Sequence, residues 1–145
     1  MDFYKSFGFL SHGVINITPT DCVNLCKAGA VLIDVREENL RGYKIFDNEN
    51  VICIPFSRIK EQGENLPHDI PLIIADTTGL KSRECTLFLM ESGFENVANL
   101  AGGIVDWERD GFPVKINPDE KLTGSCMCQL KRRKNVREKG GEKRK

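Results

Sequence analysis

The stretch LIIADTTGLKS, Leu72 to Ser82, joins a short apolar run to an acid, two threonines, a glycine and a polar continuation. Four apolar residues without polar alternation fit a strand covered on both faces. Thr77, Thr78 and Gly79 are loop formers. Ser82 is placed to cap a helix, SRECTLFLMES, whose apolar stripe is Cys85, Phe88 and Leu89 and whose end is Gly93-Phe94. Strand, loop and helix in that order define an α/β unit, and in such sheets ligands bind where strands end and helices begin. Residues Asp76, Thr77, Thr78, Gly79, Leu80, Lys81 and Ser82 are therefore the first candidate ligand-binding loop.

The same grammar recurs on either side. Upstream, ITPTDCVNLCKAGA carries a helix start: Thr18 to cap, Pro19 at the first helical position and Asp21 completing the capping pattern. Cys22, Leu25 and Cys26 share one face, and Gly29 stops the helix. Ala30 to Ile33 and Val51 to Ile54 read as strands, with LRGYKIFDNEN between them as a short helix and loop. Phe56 to Leu66 reads as a helical or irregular crossover. Downstream, Val97 to Leu100 is a fourth strand, IVDWERDG a last short helix, and Phe112-Pro113-Val114 closes the body. Strands alternating with helices imply a mainly parallel sheet with helices on both faces.

At 145 residues the chain suits one domain with an extension. Its net charge of zero conceals an asymmetry. Residues 115–145 hold eleven Lys or Arg and four Asp or Glu, a balance of +7, which leaves −7 for residues 1–114. From Asn117 no apolar periodicity survives, and the charged end is expected to be disordered by itself. The divisions expected are an N-terminal extension over 1–14, a folded domain over 15–114 and a basic, largely disordered tail over 115–145. The tail is suited to acidic surfaces. No apolar run approaches the ~20 residues of a membrane helix, and the first residues lack the pattern of a secretory signal. The six cysteines, four of them within apolar patterns, are expected as free thiols in a reducing, cytoplasmic setting. No metal or organic cofactor is expected, since His12 and His68 complete no zinc spacing with them.

Several segments, in order, resemble the rhodanese-like domain. They are LIDVREE at 32–38, ICIPFSRI at 52–59, PLII with its Gly- and Ser-containing loop at 71–82, and FLMESGFENVANLAGGIVDWERDGFPV at 88–114. The resemblance covers residues 15 to 114 and implies a five-stranded, mainly parallel sheet wrapped by helices. It also implies persulfide chemistry. A loop after the central strand carries a Cys, and the surrounding backbone N–H groups favour its thiolate and then its anionic persulfide.

Counting back from Lys81-Ser82 places Asp76 at the position of that Cys, or Ala75 if the loop is one residue longer. Neither residue can hold a persulfide. Tyr43 stands where many members have a His, and Lys81 replaces an Arg, keeping charge without the fork geometry. The expectation is a catalytically silent module for binding or regulation in sulfur or thiol metabolism, its carboxylate occupying the place of a bound anion. Its partner would be a protein or a small anion, with neither membrane nor nucleic acid involved. The alternative is a sulfurtransferase or sulfur or metal carrier using Cys126 and Cys128, a Cys-x-Cys pair beside basic residues that raise its thiolate fraction. A third reading takes Asp76 as a phosphoryl-transfer nucleophile similar to haloacid dehalogenases, but Thr78 stands where their second Asp belongs. Cys22, Cys26, Cys53 and Cys85 are expected to pack in the core.

Overall fold

A computed structural model describes residues 4, 7–37, 44–48 and 50–116. Tyr43 and residues 117–145, with Cys126 and Cys128, lie outside the described residues.

The strands are β1 (Phe9–Ser11), β2 (Val14–Ile17), β3 (Val31–Asp34), β4 (Lys44–Phe46), β5 (Val51–Cys53), β6 (Leu72–Ala75), β7 (Val97–Leu100) and β8 (Val114–Ile116). The α-helices are α1 (Pro19–Lys27), α2 (Ile59–Gln62), α3 (Leu80–Glu91) and α4 (Gly103–Arg109). Five strands form a parallel sheet in the order β2-β7-β6-β3-β5, and β1 extends it as an antiparallel edge. β4 and β8 pair separately as an antiparallel ribbon.

Alternation along the strands builds two cores. Leu32 and Ile73 face one side, with Cys22, Leu25 and Cys26 of α1 and Ile104 and Trp107 of α4. Ile33 and Ile74 face the other, with Cys85 and Leu89 of α3. The sheet is thus covered on both faces, which is why its central strands carry no polar alternation.

The helix ends follow local chemistry. Thr18 accepts the Asp21 N–H at 3.2 Å at the start of α1. α3 closes with a Schellman pair, Gly93 N–H to Met90 O at 3.1 Å and Phe94 N–H to Leu89 O at 3.0 Å. The start of α3 differs from the sequence reading. Ser82 does not cap it; the helix begins at Leu80, and Gly79 takes the cap position at φ 98°. The reason is Asp76, whose carboxylate reaches the first N–H groups from before the turn and leaves Ser82 inside the helix.

Four short strands, β1, β2, β4 and β8, escaped the apolar-run criterion. β2 lies in VINI, where Asn16 interrupts the run, and β4 lies inside the segment read as helix and loop. β8 takes in Lys115 and Ile116, assigned above to the tail. Within the segment read as an extension, β1 joins the sheet and Tyr4 is buried, donating its hydroxyl to Leu72 O at 2.8 Å.

Candidate functional site

β6 is the middle strand of the five, and its C-terminal end delivers Asp76 to the centre of the sheet's upper edge. The chain then turns through Thr77, Thr78 and Gly79 into α3. Thr77, Thr78 and Leu80 are exposed, whereas Asp76 retains only 6% of its surface.

The Asp76 carboxylate folds back into its own loop. One oxygen accepts the Gly79 N–H in a very short contact, and the other accepts the Lys81 N–H at 3.0 Å. Both donors belong to the start of α3, where unpaired N–H groups and the helix dipole favour negative charge. The Ser82 hydroxyl shares its single proton between Asn99 Oδ1 at 2.5 Å and Asp76 Oδ1 at 3.2 Å.

The loop is clamped from outside as well. Asp76 O accepts the Ile104 N–H at 2.9 Å, and Thr77 O accepts the Val105 N–H at 3.1 Å, so the first turn of α4 holds its carbonyls. A Cβ on Gly103 would come within 2.4 Å of both carbonyl oxygens, so only glycine permits this approach. Asn99 of β7 donates to Gly79 O at 3.2 Å and to Asn16 Oδ1 of β2 at 2.9 Å. Asn16 and Asn99 are register partners, so this polar ladder crosses two adjacent strands.

Two further polar groups brace the site. Arg36 makes a two-pronged pair with Asp34 at the end of β3, with Nη2 to Oδ2 at 2.8 Å, and also donates to Lys44 O at 3.0 Å. Both side chains are buried. Glu37 accepts the Ser57 N–H at 2.8 Å and faces its hydroxyl at 3.1 Å. The sequence reading assigned no role to Asn16, Asn99, Asp34 or Arg36. For the asparagines a signal was present: each interrupts an apolar run.

Lys81 contributes its backbone to the loop and sends its ammonium away from it, 4.7 Å from the Phe56 ring centroid. Ala75 ends β6, and its carbonyl is taken by the Val35 N–H at 2.8 Å. The structure therefore brings Asp76, Gly79, Lys81 and Ser82 together around one carboxylate, and turns Thr77, Thr78 and Leu80 outward. Both carboxylate oxygens are thus engaged by groups of the loop itself.

The chain belongs to the rhodanese-like family. The family model described as Rhodanese-like domain matches residues 18–110. Rhodanese-like domain-containing protein 17 of Arabidopsis thaliana is 32% identical over 121 residues, covering 74% of this chain and 76% of that protein. A thiosulfate sulfurtransferase, GlpE, of Haemophilus influenzae is 29% identical over 102 residues, covering 68% of this chain and 91% of that one. Among solved structures, a rhodanese-related protein from Thermoplasma volcanium matches with a TM-score of 0.61 and 27% identity over 68% of this chain and 95% of that chain.

In this rhodanese-like domain the loop from Asp76 to Ser82 contains no cysteine. The four described cysteines, Cys22, Cys26, Cys53 and Cys85, are buried. Cys85 lies one turn beyond Lys81. Burial, and then the neighbouring Asp76 charge, push its thiol up to about 12, the opposite of what a sulfur-carrying thiol requires. Cys22 is pushed up by its hydrogen bond with Cys26 and by burial. Near neutral pH, native protein treated with iodoacetamide is expected to keep Cys22, Cys26, Cys53 and Cys85 unmodified; peptide mapping after quenching checks this. Rapid alkylation of Cys85 would contradict its packing. Among the described residues no helix is long and apolar enough to cross a membrane.

Proposed function

We propose that this rhodanese-like domain lacks the family's loop cysteine, Asp76 standing in its place. In this reading it is a catalytically silent module for binding or regulation in sulfur or thiol metabolism. One observation carries the reading: the Asp76 carboxylate accepts the Gly79 and Lys81 N–H groups that would otherwise face an anion. An incoming thiosulfate would meet a fixed negative charge and donors already engaged. A carboxylate is also a far poorer soft nucleophile than a thiolate.

The relative named thiosulfate sulfurtransferase supports the sulfur context. The expected setting is cytoplasmic, in keeping with cysteines that lie within apolar patterns. A protein partner fits the loop's surroundings, where Leu80 is 59% exposed and Val105 on the first turn of α4 is 49% exposed.

A thiosulfate-to-cyanide sulfur transfer assay tests the reading. Wild type is expected to show no turnover. Asp76→Cys is expected to gain measurable turnover, because the N–H groups and the helix start that now hold a carboxylate would favour a thiolate. No gain in Asp76→Cys would show that more than this residue separates the loop from a working site.

A second reading has its own support. With the four described cysteines buried, a sulfur or soft-metal carrier would have to use Cys126 and Cys128. Intact mass after thiosulfate treatment separates the two readings. Gain of one sulfur, lost in Cys126→Ser/Cys128→Ser, favours the carrier, and an unchanged mass favours the silent module.

A further inference from the structure

A groove runs between α3 and the segment 56–60, on the side of the sheet away from α1 and α4. Its volume is about 550 Å³, and Phe56, Leu87 and Phe88 line it above Cys85. All three are partly exposed, unlike the core residues beneath them. Glu84 and Glu91, seven residues apart on one stripe of α3, stand exposed along its wall. Among the described residues neither carboxylate forms an ion pair.

The two rings already accommodate cations: the Lys81 ammonium lies 4.7 Å from the Phe56 centroid, and that of Lys60 lies 6.0 Å from the Phe88 centroid. An occupant suited to this groove has apolar side chains for the ring-lined floor and positive charge for the glutamates.

The chain supplies such a segment. The body carries −7 and residues 115–145 carry +7. Within the latter, Met127 and Leu130 lead directly into Lys131-Arg132-Arg133-Lys134. From Ile116 to Leu130 the backbone spans up to about 45 Å, and a domain of this size is about 35 Å across. The segment can therefore reach the groove from β8. Met in particular fills irregular aromatic clefts.

We propose that residues 127–134 occupy this groove in the same molecule. Met127 and Leu130 lie against Phe56, Leu87 and Phe88, and the basic run lies beside Glu84 and Glu91. Tethering raises the segment's effective concentration to about the millimolar range, so individually weak contacts suffice. Phe56 also carries Lys81, so the occupied groove adjoins the Asp76 loop and holds Cys126 and Cys128 near it. The inference stands whether or not that loop is silent.

A nitroxide on Cys128 in full-length Cys126→Ser protein tests this, since the other four cysteines are buried. The expected result is amide broadening concentrated at residues 56–60 and 84–91, reduced several-fold by Glu84→Lys/Glu91→Lys. Broadening absent from these residues, or indifferent to the double substitution, would overturn the proposal. A mixture of spin-labelled protein with isotope-labelled, spin-free protein completes the test. No broadening is expected there, and broadening at the groove would overturn the proposal by assigning it to a second copy.

Discussion

Asp34→Ala is expected to lower the unfolding free energy by about 3–5 kcal/mol. Asp34 is fully buried and Arg36 is 5% exposed. Their two-pronged pair compensates two desolvated charges, and removing the acid leaves a guanidinium that, among the described residues, keeps only Lys44 O at 3.0 Å and the Phe46 ring at 5.6 Å. The cost is that of an uncompensated buried charge, not the net worth of the pair. Replacing both residues, as Asp34→Leu/Arg36→Met, is therefore expected to cost much less than the single change. Urea titrations of the three proteins check this, and a double variant as unstable as Asp34→Ala would contradict it.

Asp76→Ala is expected to cost about 2–3 kcal/mol, the order of one hydrogen bond to a charged group plus an orphaned donor. The Gly79 and Lys81 N–H groups lose their acceptor, and Ser82 keeps only Asn99. Water entering the vacated space limits the loss. Asp76→Asn keeps one acceptor oxygen but sets an amide NH₂ against an N–H donor, so it rescues little. Denaturant midpoints measure both, and an Asp76→Ala protein as stable as wild type would show that the carboxylate does not hold the loop.

The physics of burial made much of the fold readable. Strands β3, β5, β6 and β7 are covered on both faces, so they appear as short unbroken apolar runs. α1 announces itself by Thr18, Pro19 and Asp21, and its Cys22, Leu25 and Cys26 face is the one that packs. β2 and β4 were not readable in this way. Asn16 breaks the β2 run because it serves the ladder to Asn99, and β4 is only three residues long with Lys44 exposed.

At the site, the loop's place was legible from strand, acid, glycine and helix in order. Its internal geometry was not. Ser has a strong statistical claim to a helix cap, but Asp76 takes the donors at the start of α3 from three and five residues upstream. That competition depends on a backbone turn at Gly79 clamped by Gly103 and Asn99, which come from distant parts of the chain.

The central claim is that the Asp76 carboxylate fills the position an anion would take. Thiosulfate titration of wild type and Asp76→Ala, followed at the Gly79 and Lys81 amide resonances, tests it most directly. The account predicts no saturable shift in wild type and a saturable shift of both amides in the variant. Saturable binding to wild type at these amides, or none in the variant, would contradict it.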